Sequence, residues 1–507
     1  MRKPSLFVAL VGLGLCLGAA GHAQPAAQSA AQPAAQPAAQ SAARPGAQPA
    51  PPAPAAQPGS LVERLRQAVQ ASGLGEQVGV SVVDVASGRP VFQHQAERPL
   101  NPASNMKLVT AAVALRVLGA DFTMRTSVHG RLEGDRVLGG LALRGSGDPT
   151  LGIGELYALA RQVADQGVRS CDHVIVDASY FDDQVLPDAF EQQPNEVAPF
   201  RAPIGAIAIE RNAYELRILP GGAVGERAIV RLLGAGYFEL DNQLTTSEPG
   251  APRVIADQRD GGSRMQLRLR GTVPLGVRGV SYRRRIESPL PWAGHAFLEA
   301  LRAAGVRCGD RVEVGPAPSG ASTLASHESQ SLGTMLPAMG KWSDNFTAEM
   351  VFRVLGAERH RPGRAEDAVA AVRASLEEAG LAVDRIAIVN GSGLFQGNRI
   401  AAQQLADLLV AMYRDPRVRD EYVAHLAIGG VDGTLRNRLR DLPMPRVVRA
   451  KTGTLNDVIA LSGYVLGPAP DRAYAFSFLA NGVTGRQGAA RELGDSVARA
   501  LAQDLHR

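Results

Sequence analysis

Lysine is nearly missing from this chain of 507 residues. Of its 54 basic residues only Lys3, Lys107, Lys341 and Lys451 are lysine; all the others are arginine. Cysteine is scarce too. Cys16, Cys171 and Cys308 are the whole set, too few for a disulfide-dense scaffold or a cysteine-built zinc site. The sequence has no H-E-x-x-H and no G-x-S-x-G, so neither the zinc-hydrolase helix nor the usual nucleophile elbow is present. His129, His173, His295, His327, His360 and His425 are scattered and read as structural. A formal charge of +5 on so long a chain is a small imbalance, not a nucleic-acid footprint.

Long apolar runs are confined to the start. "MRKPSLFVALVGLGLCLGAAGHAQ" has a basic beginning, an apolar stretch from Leu6 to Ala20 and the small-x-small triplet Gly21-His22-Ala23. It reads as a secretory signal cut after Ala23 (residues 1–23), too short and glycine-rich for a comfortable bilayer span. Anchoring through Cys16 fits less well, because bulky Leu15 precedes it. Cleavage removes Arg2 and Lys3 and no acid, which leaves a charge of +3. Export permits a Cys171–Cys308 disulfide, and two buried thiols are the alternative.

The folded part announces itself by composition: 45% hydrophobic residues suffice for a sizeable core, and the length suggests two or three domains. Residues 24–59, an Ala/Gln/Pro repeat, have little to bury and read as a disordered tether reaching on the order of 100 Å at about 3.1 Å per residue. Next come a helix with Leu61, Leu65 and Val69 on one face, two strands, and a helix on which Leu108, Ala111, Ala112 and Leu115 recur at helical spacing. Strand-like runs dominate 124–285. Helices and then strands return at the end. The reading is an α/β (α+β) domain, 60–123 with 286–507, interrupted by a β-rich insertion at 124–285.

The remaining lysines mark the chemistry. On a helix Lys107 shares a face with Ser104, one turn earlier. A serine hydroxyl needs a base to become a nucleophile, and a desolvated lysine can serve where arginine cannot. Taken alone, the pair is more often an N-cap serine with a solvated lysine. Ser343 and Asn345 stand two apart, beside Lys341, so a turn between helices should present both. Lys451-Thr452-Gly453-Thr454 precedes a strand and suits a carboxylate-docking edge. Together they form S-x-x-K, S-D-N and K-T-G in that order, a signature of β-lactamases and penicillin-binding proteins.

With those motifs the chain resembles the low-molecular-mass class C penicillin-binding proteins, the D-alanyl-D-alanine carboxypeptidase/endopeptidase family. The separation of 236 positions between Lys107 and Ser343 is similar to that family's large insertion, as are "RGSGDPTL", "NGSGLFQGNRI" and "GGVDGTLRNRL". Asn390 departs from it, standing where the family usually has Asp. The resemblance implies a penicillin-recognising transpeptidase-like fold and needs no metal or organic cofactor. It implies Ser104 as nucleophile, Lys107 as its base, and Ser343 as the proton relay. Asn345 would orient Lys107, Lys451 and Thr452 would hold the substrate carboxylate, and the N–H groups of Ser104 and Thr454 would form the oxyanion hole. The implied partners are peptidoglycan stem peptides, with β-lactam antibiotics as covalent inhibitors, in the periplasm. A β-lactamase is the alternative, weakened by the insertion and by the lack of an evident E-x-x-L-N motif. A slow penicillin sensor or wall-binding protein is another.

Overall fold

The computed structural model describes residues 59–507, so the leader and nearly all of the expected tether lie outside the described residues. At its centre is a six-stranded antiparallel sheet with the order Ala427–Ile428, Val448–Leu455, Val458–Leu466, Ala473–Asn481, Val78–Asp84, Pro90–His94. Early and late strands of the described residues meet here: Val78–Asp84 pairs with Ala473–Asn481, Ser81 opposite Ser477.

Two helices cover one face. Leu61–Ala71 starts at a capping box, in which Ser60 Oγ accepts from the Glu63 N–H and Glu63 accepts from the Ser60 N–H. Its Leu61, Leu65 and Val69 pack with Leu493, Val497 and Leu501 of the Gln487–Leu505 helix. The other face carries a helical layer built around Met106–Val117. Every residue from Met106 to Leu115 is buried, including those outside the stripe that the spacing suggested. A helix surrounded by other helices and a sheet has no solvent face to mark, so its pattern is apolar all round. Among the described residues no helix is long and apolar enough to cross a membrane.

The intervening region forms a seven-stranded mixed sheet and two three-stranded sheets. Strands Arg307–Cys308, Val312–Val314 and Ser322–Glu328 pair with strands that lie between 125 and 177. The Pro289–Ala303 helix buries Trp292, Phe297 and Leu301 in the same core. We therefore place the inserted unit at 124–328 instead of 124–285: the helical pattern after 285 belongs to the insertion's core. Cys171 and Cys308, register partners on adjacent parallel strands, form a disulfide with their Cα atoms 4.5 Å apart. That resolves the two alternatives left open by the sequence.

Candidate active site

Three elements bring the motif residues together. Asn101 Oδ1 accepts from the Ala103 N–H (2.8 Å) and fixes a tight turn in which Ala103 has φ of 45°. Ser104, half-buried, sits in the 3₁₀ turn Ala103–Asn105 that leads into the Met106–Val117 helix. Ser343 occupies the turn between the helices Leu332–Lys341 and Asn345–Arg359, at a left-handed φ of 60°. Asp344 caps the second helix, its carboxylate accepting from the Thr347 N–H at 2.7 Å, which leaves Asn345 as the first helical residue. The turn does present both residues.

The third element is the strand Val448–Leu455. Its outer neighbour, Ala427–Ile428, pairs only with Ala450 and Arg449, so among the described residues that edge has no strand partner from Lys451 onward. Gly453 lets the strand press against the turn that carries Ser104. A Cβ there would lie 2.9 Å from the Pro102 carbonyl oxygen and 3.1 Å from the Ala103 Cβ. Asn105 bridges the same two elements when its amide nitrogen donates to the Lys451 carbonyl (2.9 Å) and its oxygen accepts from Ser462 (2.7 Å).

Lys107 is fully buried, and burial pulls its pKa down to about 7, with Glu349 and Asp344 opposing the fall. Its Nζ donates to Asn345 Oδ1 (2.7 Å) and to the Ser392 carbonyl (2.6 Å), and it lies 3.1 Å from Ser104 Oγ. A neutral amine has two N–H groups and one lone pair. In a neutral Lys107 the Asn345 and Ser392 oxygens would take both N–H groups, leaving the lone pair to Ser104 Oγ. Lys451, also fully buried, donates to Ser343 Oγ (2.8 Å) and to the Thr452 carbonyl (2.7 Å). Burial and repulsion from Lys107 hold its pKa well below the usual lysine range. The Thr452 hydroxyl donates to Thr434 Oγ1 (2.8 Å).

Further contacts complete this arrangement, and one of the residues that make them, Glu349, was not singled out in the sequence. Glu349, four positions after Asn345, is buried and accepts from the Gly391 (3.2 Å) and Ser392 (2.7 Å) N–H groups. The i, i+4 spacing from Asn345 was a signal available in the sequence. Lys341 donates to Asp432 (2.8 Å) and to the Leu426 carbonyl (2.9 Å), tying the Ser343 turn to the loop that carries Thr434. Asn345 Nδ2 donates to the Phe200 carbonyl (3.1 Å), so the insertion reaches the site itself. Asn390 does the same: its amide nitrogen donates to the Asp188 carbonyl (3.0 Å), a bond that an ionised Asp could not make. His425 is buried neutral, its ring bonded to the Tyr422 carbonyl and its pKa lowered to about 3 by burial.

Comparison with known proteins gives a consistent result. The profile of the D-Ala-D-Ala carboxypeptidase 3 (S13) family matches residues 61–503. A D-alanyl-D-alanine carboxypeptidase from Actinomadura sp. is 36% identical over 461 residues, 86% of this chain and 84% of the relative. A D-alanyl-D-alanine carboxypeptidase from Haemophilus influenzae is 23% identical over 427 residues, 81% of this chain and 87% of the relative. The crystal structure of penicillin-binding protein 4 from Haemophilus influenzae superposes with a TM-score of 0.70 at 24% identity, over 88% of this chain and 99% of that one. That last likeness establishes the penicillin-recognising fold.

Proposed function

The chain belongs to the D-Ala-D-Ala carboxypeptidase 3 family, and on that premise we propose that Ser104 performs the hydrolysis of a terminal D-Ala-D-Ala peptide bond. The activity is that of a serine-type D-Ala-D-Ala carboxypeptidase acting on peptidoglycan. Ser104 Oγ attacks the carbonyl of the penultimate residue while its proton passes to Lys107. The N–H groups of Ser104 and Thr454 receive the oxyanion, a contribution of about 10²–10³ in rate per donor. The proton reaches the departing D-alanine nitrogen through Ser343 and Lys451, and the C–N bond breaks. Lys451, Thr452 and Gly453 form the edge on which the substrate's terminal carboxylate lies, and Asn345 holds Lys107 in line. Water then attacks the acyl-enzyme by the same route and releases the shortened stem peptide.

One observation carries this reading: the buried Lys107 amine has its two N–H groups engaged and Ser104 Oγ at 3.1 Å. A β-lactam presents a strained amide to the same serine and stays attached. Export fits the activity, since the substrate lies outside the cytoplasm. We propose residues 1–23 as the secretory leader and residues 24–59 as a tether that lets a periplasmic enzyme search the wall. The test is release of free D-alanine from a soluble peptide ending in D-Ala-D-Ala. Wild type should release it and Ser104→Ala should not; equal release by both proteins would refute Ser104 as nucleophile.

A further inference from the structure

Glu349 lies one turn along the helix from Asn345, with 2% of its surface exposed. A carboxylate there has lost its hydration, a cost of several kcal/mol unless hydrogen bonds and an opposite charge replace it. The replacements are specific. The two carboxylate oxygens take the N–H groups of Gly391 and Ser392, and Ser392 then points its carbonyl at Lys107 Nζ, 2.6 Å away. The turn between them cannot slide. A Cβ on Gly391 would meet Phe352 Cβ at 2.5 Å, and one on Gly393, at φ +73°, would meet the Ala103 carbonyl oxygen at 1.9 Å. The turn is thus wedged between the Glu349 helix and the residue preceding the nucleophile.

We propose that Glu349 is a positioning residue for acylation: it aims the Ser392 carbonyl at Lys107 and places a buried negative charge behind the nitrogen that must accept the serine proton. This rests on the reading of Lys107 as the base. Titratable groups face Lys107 from each side, and burial raises the Glu349 pKa while the Ser392 and Gly391 N–H bonds and the Lys107 charge oppose that rise. Glu349 and Asp344 come from the helix and its cap, and Lys451 comes from the strand edge. The Asn345, Ser392 and Ser104 oxygens complete its surroundings. Burial favours the neutral amine and the two acids favour the ammonium, leaving Lys107 at about 7. Removing the Glu349 charge lowers that value, so the pH at which the base becomes available falls.

The experiment is the second-order rate of acylation by benzylpenicillin from pH 5 to 9, in full-length mature wild type, Glu349→Gln and Glu349→Asp. Wild type should rise to a plateau through a midpoint near 7. Glu349→Gln should shift the midpoint down by about one unit, the size of effect a nearby opposite charge has, with a reduced plateau. Glu349→Asp keeps the charge and should keep the midpoint while its plateau drops, because the shorter side chain misplaces the carbonyl. A Glu349→Gln plateau that falls with an unmoved midpoint would make Glu349 a packing residue only and overturn the proposal, as would a profile identical to wild type. If Glu349→Gln fails to fold, a midpoint displaced in Glu349→Asp would refute the charge role and an unchanged plateau the aiming role. Wild type that forms no adduct would refute the reading of the base instead.

Discussion

At the scale of residues, the account turns on one proton and where it goes. Arginine does not deprotonate in proteins. Lys107→Arg should therefore lose on the order of 10²–10⁴ in acylation rate, the usual worth of a general base, as read by the rate of penicillin adduct formation. The pH dependence follows with a definite sign. The active form of Lys107 is the neutral one and its pKa is about 7, so acylation should fall about tenfold per unit below pH 6 and level off above pH 8. Lys341 acts at one remove. Its ion pair with Asp432 steadies the loop whose Thr434 bonds Thr452; Lys341→Met should raise KM for the D-Ala-D-Ala peptide more than it lowers kcat. The three motifs were legible because their chemistry tolerates few substitutes: arginine cannot replace a lysine that must lose its proton. Glu349 was legible only as the i, i+4 neighbour of Asn345, since nothing in "NFTAEMVFRVLGA" shows that the helix is buried on nearly every side.

At the scale of elements, the site depends on how closely a strand edge approaches a turn. Gly453→Ala places a Cβ within 3.1 Å of the Pro102 carbonyl oxygen and the Ala103 and Ala460 Cβ atoms, none of which can swing aside. Overpacking of this kind costs about 1–3 kcal/mol. The variant should show a lower Tm, and D-alanine release should fall more than the stability loss explains, because the strand and Ser104 are pushed apart. The strands of the insertion and the outer helices were readable from period-two and 3.6-residue patterns, as with Leu61, Leu65 and Val69. The Met106–Val117 helix was only half readable. From Met106 to Leu115 its buried face is the entire surface, so Lys107 on it does not mark a solvent side. The end of the inserted unit, which we propose at 328, is hard to read for a related reason. Periodicity shows that Pro289–Ala303 is a helix but not which core receives Trp292 and Phe297.

At the scale of the whole molecule, the insertion is part of the site as well as an appendage to it. It reaches Asn345 through the Phe200 carbonyl and Asn390 through the Asp188 carbonyl, and Asp182 pairs with Arg353 of the catalytic part. Its own closure includes the Cys171–Cys308 bond, which spans 137 positions. Removing a native disulfide of this kind typically costs about 2–4 kcal/mol. The Cys171→Ser/Cys308→Ser double variant should unfold at lower denaturant, and the untreated protein should match it once reduced. The disulfide was one of two alternatives that the sequence left open; the other links could not be read from local pattern, because each joins residues more than a hundred positions apart. The central claim, that Ser104 is acylated and slow to be released, is tested most directly on the intact chain. Mass spectrometry of residues 24–507 with benzylpenicillin, followed in time beside Ser104→Ala, should show one adduct on wild type that persists for many minutes and none on the variant. An adduct that forms equally on Ser104→Ala, or no adduct on folded wild type, would contradict it.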